Sequence, residues 1–179
     1  MDIAIPEGNE EEMIEMAKKL GTASLRFLYP VVSIAQKEKI RGRDVGVITD
    51  NPNEIRKAKQ QGIFVACQSN EVAVLESSPD VIFGVEGLMH KDSLHFRQSG
   101  LNQVLCALMA KKGISYGISF SMILNASGKH RAQILGRVQQ NIDLAKKFKV
   151  PMKCYSFAKE PFGLRSERDL DSFLRSISL

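Results

Sequence analysis

The chain has 179 residues, 44% of them hydrophobic and 25% charged, and a net charge of +5. That is the composition of an ordinary globular protein, and the length suits one domain, residues 1–179, large enough to bury well over half of its unfolded surface without disulfides. No run approaches the ~18 apolar residues of a membrane span, and the acidic start MDIAIPEGNEEE is not that of a signal peptide, so a cytoplasmic location is expected.

Taken in chain order, short β-branched runs alternate with helical stretches. Strands are expected at residues 2–5, 24–28, 44–49, 63–67, 81–85, 115–120 and 152–156. Helices are expected at 10–20, 53–61, 70–76, 99–112, 129–148 and 166–177. The basic stretch KEKIRGR at 37–43 stands where one connecting helix belongs and reads as short and irregular. Runs such as DVGVIT, GIFVAC and DVIFGVE are almost continuously apolar, as strands are when helices cover one face of a parallel sheet and a packed interior fills the other.

A βα unit repeated about seven times allows a closed barrel or an open doubly wound sheet. No GxGxxG follows the first strand and no glycine is placed as in a Walker loop, so the open nucleotide-binding sheets lack their usual signature. A full (β/α)8 barrel typically takes ~250 residues. The expected fold is therefore α/β and TIM-barrel-like: an incomplete (β/α) barrel of about seven parallel strands.

The helix expected at 99–112 has Ser99 as a candidate cap, Gly113 as a left-handed stop, and Lys111 and Lys112 at the negative end of its dipole. Leu101, Val104, Leu105 and Leu108 recur at helical spacing, and Cys106, Ala107, Met109 and Ala110 leave little polar face. The helix is expected to be covered on both sides, in the barrel wall or against a protein partner. His95, Arg97 and Gln98 just ahead of it have no local explanation.

No catalytic constellation is visible. The histidines are His90, His95 and His130, with no paired ligand at metal-compatible spacing and no His-x-His in the first strand. Asp50 and Glu86 stand at strand ends, where a metal-dependent phosphoesterase on a barrel would place carboxylates, with His90 nearby in sequence. Ser99 lacks the strand-to-helix context of a nucleophile elbow. Cys67, Cys106 and Cys154 are far apart and read as reduced core residues.

The charge is unevenly spread: residues 1–50, 51–120 and 121–179 carry −2, +1 and +6. In the helix at 129–148, Lys129, Gln133, Arg137, Gln140 and Lys147 follow steps of four, four, three and seven, one stripe along the helix, while Leu135, Val138, Ile142 and Ala145 face inward. A solvated face has the same spacing. The helix start, SGKHR, crowds Lys129, His130 and Arg131 at the positive end of a helix dipole, which costs stability unless an anion is bound there.

The run RQSGLNQVLCALMAKKGISYGISFSMILNASGKHRAQILGRVQQNIDLAKKFKVP resembles the thirty-kilodalton protein subunit family of archaeal and eukaryotic ribonuclease P, known in archaea as protein component 3. The family pattern is a basic residue, a Gly-containing step, a hydrophobic VLA-L helix, a Gly-Phe/Ile-Ser strand, and an Arg-containing helix that ends in a Lys-Tyr/Phe-Lys-Val strand entry. LRFLYPVV, GVITDNP, ACQSN and RSERDL extend a looser match over most of the chain. The chain departs from the pattern at SFSMIL, where relatives carry an arginine after the serine and this chain has Phe120, Ser121 and Met122.

The resemblance implies a seven-stranded incomplete barrel and an RNA-binding protein subunit of the ribonucleoprotein that removes the 5′ leader from precursor tRNA. It implies partners: the ribonuclease P RNA, precursor tRNA, and a smaller ferredoxin-like subunit in a two-plus-two heterotetramer. The chain itself would hold no cofactor, with magnesium held by the RNA. Basic residues of the pattern fall on Arg97, Arg165 and Arg168, which join Lys129, His130, Arg131 and Arg137 as the expected RNA contacts. The alternatives are a small metal-dependent phosphoesterase using Asp50, Glu86 and His90, and a barrel enzyme that binds a sugar phosphate at SGKHR.

Overall fold

In the computed structural model, which describes residues 1–88 and 98–178, seven strands pair in chain order and all in parallel. They are β1 (Asp2–Ala4), β2 (Leu25–Tyr29), β3 (Asp44–Ile48), β4 (Phe64–Cys67), β5 (Val81–Phe83), β6 (Ser115–Ser119) and β7 (Met152–Tyr155). The sheet curls until its two edge strands meet just beyond β7. The Phe157 N–H donates to the Ile3 carbonyl and the Ile5 N–H to the Ala158 carbonyl, each at 2.8 Å, with Ala4 opposite Ala158. The barrel is thus closed to within a short seam, with no full ladder between β1 and β7.

Alternation along the strands divides two cores. Ile3, Leu28, Ala66, Val81, Phe83, Tyr155 and Phe157 fill the lumen, while Phe27, Val45, Val47, Val65, Cys67, Ile82, Tyr116, Ile118 and Cys154 point outward into the larger core beneath the helices. Two strand glycines make room inside. A side chain at Gly46 would lie 2.7 Å from Leu28 Cδ2 and 2.9 Å from the Phe64 carbonyl, and one at Gly117 would lie 2.8 Å from Val81. Gly117 lies against Phe83 and Phe157, whose rings stack with centroids 3.9 Å apart.

The helices are α1 (Glu10–Lys19), α2 (Val32–Ile40), α3 (Pro52–Gln60), α4 (Val72–Glu76), α5 (Gln103–Lys112), α6 (Phe120–Asn125), α7 (Gly128–Phe148) and α8 (Glu167–Ile177). Two depart from the sequence expectation. The KEKIRGR region belongs to a regular nine-residue helix, α2, anchored by buried Val32 and Ala35, with Glu38 beneath Arg41 and Arg43. The segment after β6, for which no helix is expected, forms α6, because the Ser119 hydroxyl accepts the Met122 N–H and caps it.

The start of α5 is also corrected. Its cap is Asn102, whose side chain accepts the Leu105 N–H at 2.9 Å, and Ser99 lies outside the helix, buried. Gly113 ends the helix in the left-handed conformation, as expected. Leu105, Cys106 and Met109 pack inward, but Val104 is 68% exposed, so this helix is covered on one side only.

Candidate nucleic-acid interface

In each βα unit the chain leaves the strand at the C-terminal end of the barrel and the following long helix runs back, so that helix begins at the C-terminal rim. α7 and α8 therefore carry their first turns to the same end of the barrel. Lys129, His130 and Arg131 lie in the first turn of α7, Arg168 lies in the first turn of α8, and Arg165 sits just before it. Five of the seven residues expected to meet RNA share this rim.

These five do different local work. Lys129, His130 and Arg168 are exposed. Arg131 reaches back across the turn, Nε donating to the Ala126 carbonyl at 2.6 Å and Nη2 to the Leu124 carbonyl at 3.0 Å. It satisfies the C-terminal carbonyls of α6, so one of the three crowded cations is held at a negative helix end rather than left at the positive one. Arg165 Nη1 donates to the carbonyls of Phe162 (2.8 Å) and Leu164 (2.6 Å), and its guanidinium lies 5.4 Å from the centre of the Phe120 ring. Both arginines are bonded to neutral carbonyls.

Arg137 is not on this surface. It is 1% exposed, and Nη1 donates to the Glu86 backbone carbonyl at 2.6 Å. The stripe read along α7 passes through the protein interior at this point, so Arg137 is removed from the set of RNA contacts. Arg97 lies outside the described residues, as do His90 and His95.

Arg137 belongs to a polar knot at the end of β5. The Glu86 carboxylate, itself buried, accepts the Tyr116 hydroxyl and, at 2.6 Å, the Asn141 side-chain amide, which also donates to the Ser99 carbonyl at 2.8 Å. Burial pushes the Glu86 carboxyl above its ordinary value, against the opposing pull of Tyr116, Asn141 and the Arg137 charge. Burial together with the adjacent carboxylate pushes the Tyr116 phenol up as well. The knot ties β5, β6, α7 and the segment before α5 together, the last through the Ser99 backbone carbonyl. Glu86 is thereby enclosed, and Asp50 Oδ1 accepts the Gln68 N–H at 2.7 Å. Among the described residues no group of three or more His, Cys, Asp or Glu side chains is placed to hold a metal ion.

The C-terminal mouth opens as a cleft of about 540 Å³ between β4, β6 with α6, and the segment after β7. Its floor is the Phe83–Phe157 ring stack, and its walls include Gln68, Ser119, Ser121, Leu124, Asn125 and Phe162. Sequence reading passed over Lys159 and Phe162 in this mouth; the only signal for them is the Pro-Phe-Gly step between β7 and α8. At the opposite end of the barrel, a second hollow of about 340 Å³ is lined by cations that are largely paired, Arg26 with Asp44 at 2.8 Å and Lys59 with Asp80 at 2.6 Å. No helix among the described residues is long and apolar enough to cross a membrane.

No protein-family model matches the chain. Among curated proteins it is 35% identical over 77 residues to ribonuclease P protein component 3 of Methanosarcina mazei, covering 43% of this chain and 32% of that protein. It is 28% identical over 128 residues to that of Thermococcus kodakarensis (70% of this chain, 57% of that protein) and 23% identical over 175 residues to that of Methanococcus vannielii (93% and 68%). The match therefore spans less than two thirds of the first two relatives' length. Among solved structures, a chain of archaeal ribonuclease P with mature tRNA superposes with a TM-score of 0.71 at 20% identity, covering 98% of this chain and 82% of that one. A putative 2-pyrone-4,6-dicarboxylic acid hydrolase from Pseudomonas putida shares the fold more loosely, with a TM-score of 0.54 at 14% identity. In sequence the chain is similar to archaeal ribonuclease P protein component 3, and in fold to a chain of archaeal ribonuclease P.

Proposed function

We propose that the chain is an RNA-binding protein subunit of ribonuclease P, the cytoplasmic ribonucleoprotein that removes the 5′ leader from precursor tRNA. The observation that carries this reading is the match to archaeal component 3 proteins in sequence, extending over 93% of the chain in one relative, together with a barrel that superposes on a chain of an archaeal ribonuclease P. The cations gathered at the C-terminal rim of the barrel supply the chemistry for it, since arginine and lysine on one face are what neutralise RNA phosphates. In this reading the RNA is the catalyst and holds the magnesium, and the protein supports the folded RNA. Lys129, His130, Arg131, Arg165 and Arg168 meet phosphates, and Arg97 remains a proposed contact. The further partners are precursor tRNA and the smaller ferredoxin-like subunit, in a two-plus-two heterotetramer.

Reconstitution of precursor-tRNA cleavage from the RNA subunit and the partner proteins, with and without this chain, tests the proposal. Cleavage at moderate magnesium should rise when the chain is added, and the chain alone should cleave nothing. Efficient cleavage by the chain without RNA, abolished in Asp50→Asn, would instead favour the phosphoesterase reading.

A further inference from the structure

The cleft at the C-terminal mouth lies at the same end of the barrel as the rim cations, and the charged residues that line it are Lys159 and Glu160. Its floor is aromatic, its walls offer amide and hydroxyl groups, and one aromatic side chain stands at its lip: Phe162, 82% exposed. It sits in a single 3-10 turn, residues Pro161–Gly163, started by a proline with fixed φ. The turn is fastened from below by the Arg165 guanidinium on the Phe162 carbonyl, and a side chain at Gly163 would press to 3.0 Å from Ala158 Cβ. The backbone that carries the ring is thus fixed, and the ring surface is open.

We infer that this cleft receives one unpaired nucleobase of RNA, stacked on Phe162. The inference rests on the RNA-binding reading above and deepens it. A base is flat and apolar on its faces and carries donors and acceptors on its edge; aromatic side chains take the face and amides or hydroxyls the edge. The cleft provides both. Phe162 offers the stacking surface. Gln68, whose backbone N–H is taken by Asp50, leaves its side-chain amide to line the cleft beside Asn125. Ser121 lines the same wall, its hydroxyl bonded at 3.1 Å to that of Ser119, which caps α6. Arg131 and Arg165, which donate to the carbonyls of the two lip segments, stand beside the opening for the phosphate that follows the base. A cleft of about 540 Å³ accommodates a single base and its sugar, whereas a base inside a duplex is stacked and paired and cannot enter.

The test compares binding of a short single-stranded RNA of mixed sequence with binding of the duplex formed with its complement, for the wild-type chain, Phe162→Ala and Phe162→Tyr. Phe162→Ala should weaken single-strand binding by about fivefold or more, the low end of what one stacked base contributes. Duplex binding and the melting temperature should stay as in wild type, and Phe162→Tyr should retain the single-strand affinity. With thiouridine in the single strand, ultraviolet crosslinking should mark the peptide that contains Phe162. If the wild-type chain binds RNA and Phe162→Ala binds both RNAs unchanged, the inference fails alone. Should that variant also lose association with another ribonuclease P protein, Phe162 belongs to a protein contact. A wild-type chain that binds neither RNA overturns this inference and the RNA-binding reading together.

Discussion

Asp2 Oδ1 accepts the backbone N–H of Ser156 at 2.8 Å, joining the first strand of the barrel to the segment that follows the last. The same oxygen accepts the Ile3 N–H at 2.8 Å, and the carboxylate is buried. At the seam, where no full ladder joins β1 and β7, one side chain thus satisfies a main-chain group that a further strand pair would have satisfied. Replacing Asp2 with Ala strands the Ser156 N–H in the interior, which should cost about 1–3 kcal/mol. Asp2→Asn keeps an acceptor and should cost less. Urea unfolding measures both; equal stability of wild type and Asp2→Ala would show that the seam does not depend on this bond.

Burial also raises the pKa of Asp2 and of Glu86 above their ordinary values of 3.8 and 4.5. A carboxyl whose folded-state value is raised favours the folded state most when protonated. Its contribution is fully present below the unfolded value and is lost as pH rises through the folded one. Glu86→Gln removes one such group. The stability of wild type relative to Glu86→Gln should therefore fall as pH rises from below the ordinary carboxylate range toward neutrality. Parallel stability curves across that range would show that Glu86 titrates as it does in the unfolded chain.

Two kinds of cation are separable by stability. Arg137→Ala empties a buried site and leaves the Glu86 carbonyl without its donor, so it should cost about 3 kcal/mol or more. Lys129→Ala and Arg168→Ala change exposed side chains and should stay within ~0.5 kcal/mol. Thermal or urea unfolding of the three variants distinguishes them, and a near-neutral Arg137→Ala would return that residue to the surface set.

The three cysteines are buried and unpaired in disulfides. Burial pushes the Cys106 thiol up to about 11 and, with Asp2 and Asp171 near, the Cys154 thiol up to about 12; Cys67 is raised further still, with Asp50 and Asp80 adding to burial. Since the thiolate is the reactive form, none should react with a disulfide reagent in the native protein at neutral pH, and all three should react after denaturation. Rapid native labelling of any of them would contradict this packing.

The seven strands were legible because each is a short apolar run bounded by polar turns, and a parallel barrel buries both faces of such runs. α2 was harder to read because its buried positions include a charged residue, Glu38, beside Val32 and Ala35, so its periodicity is weak. α6 was hidden because six residues are too few to show a helical period, and it is the Ser119 cap that starts the helix. Arg137 shows where stripe counting stops. Its spacing fits a basic face, yet Glu86 and Asn141, distant in sequence, turn the same position into an interior one. Phe162 carries no periodicity at all, and its exposure follows from the loop that holds it.

The central claim is that the C-terminal rim of the barrel holds RNA through its cations. Each phosphate neutralised releases condensed counterions, so removing one contact should make the slope of log K against log salt shallower by roughly 0.7 to 0.9. The most direct test is a salt titration of binding to the ribonuclease P RNA for wild type, Lys129→Ala and Arg168→Ala, the two exposed changes expected to leave the fold intact. Weaker binding with a shallower slope in both is the predicted result. Unchanged affinity and slope in both, with unchanged melting, would mean that this rim is only solvated surface.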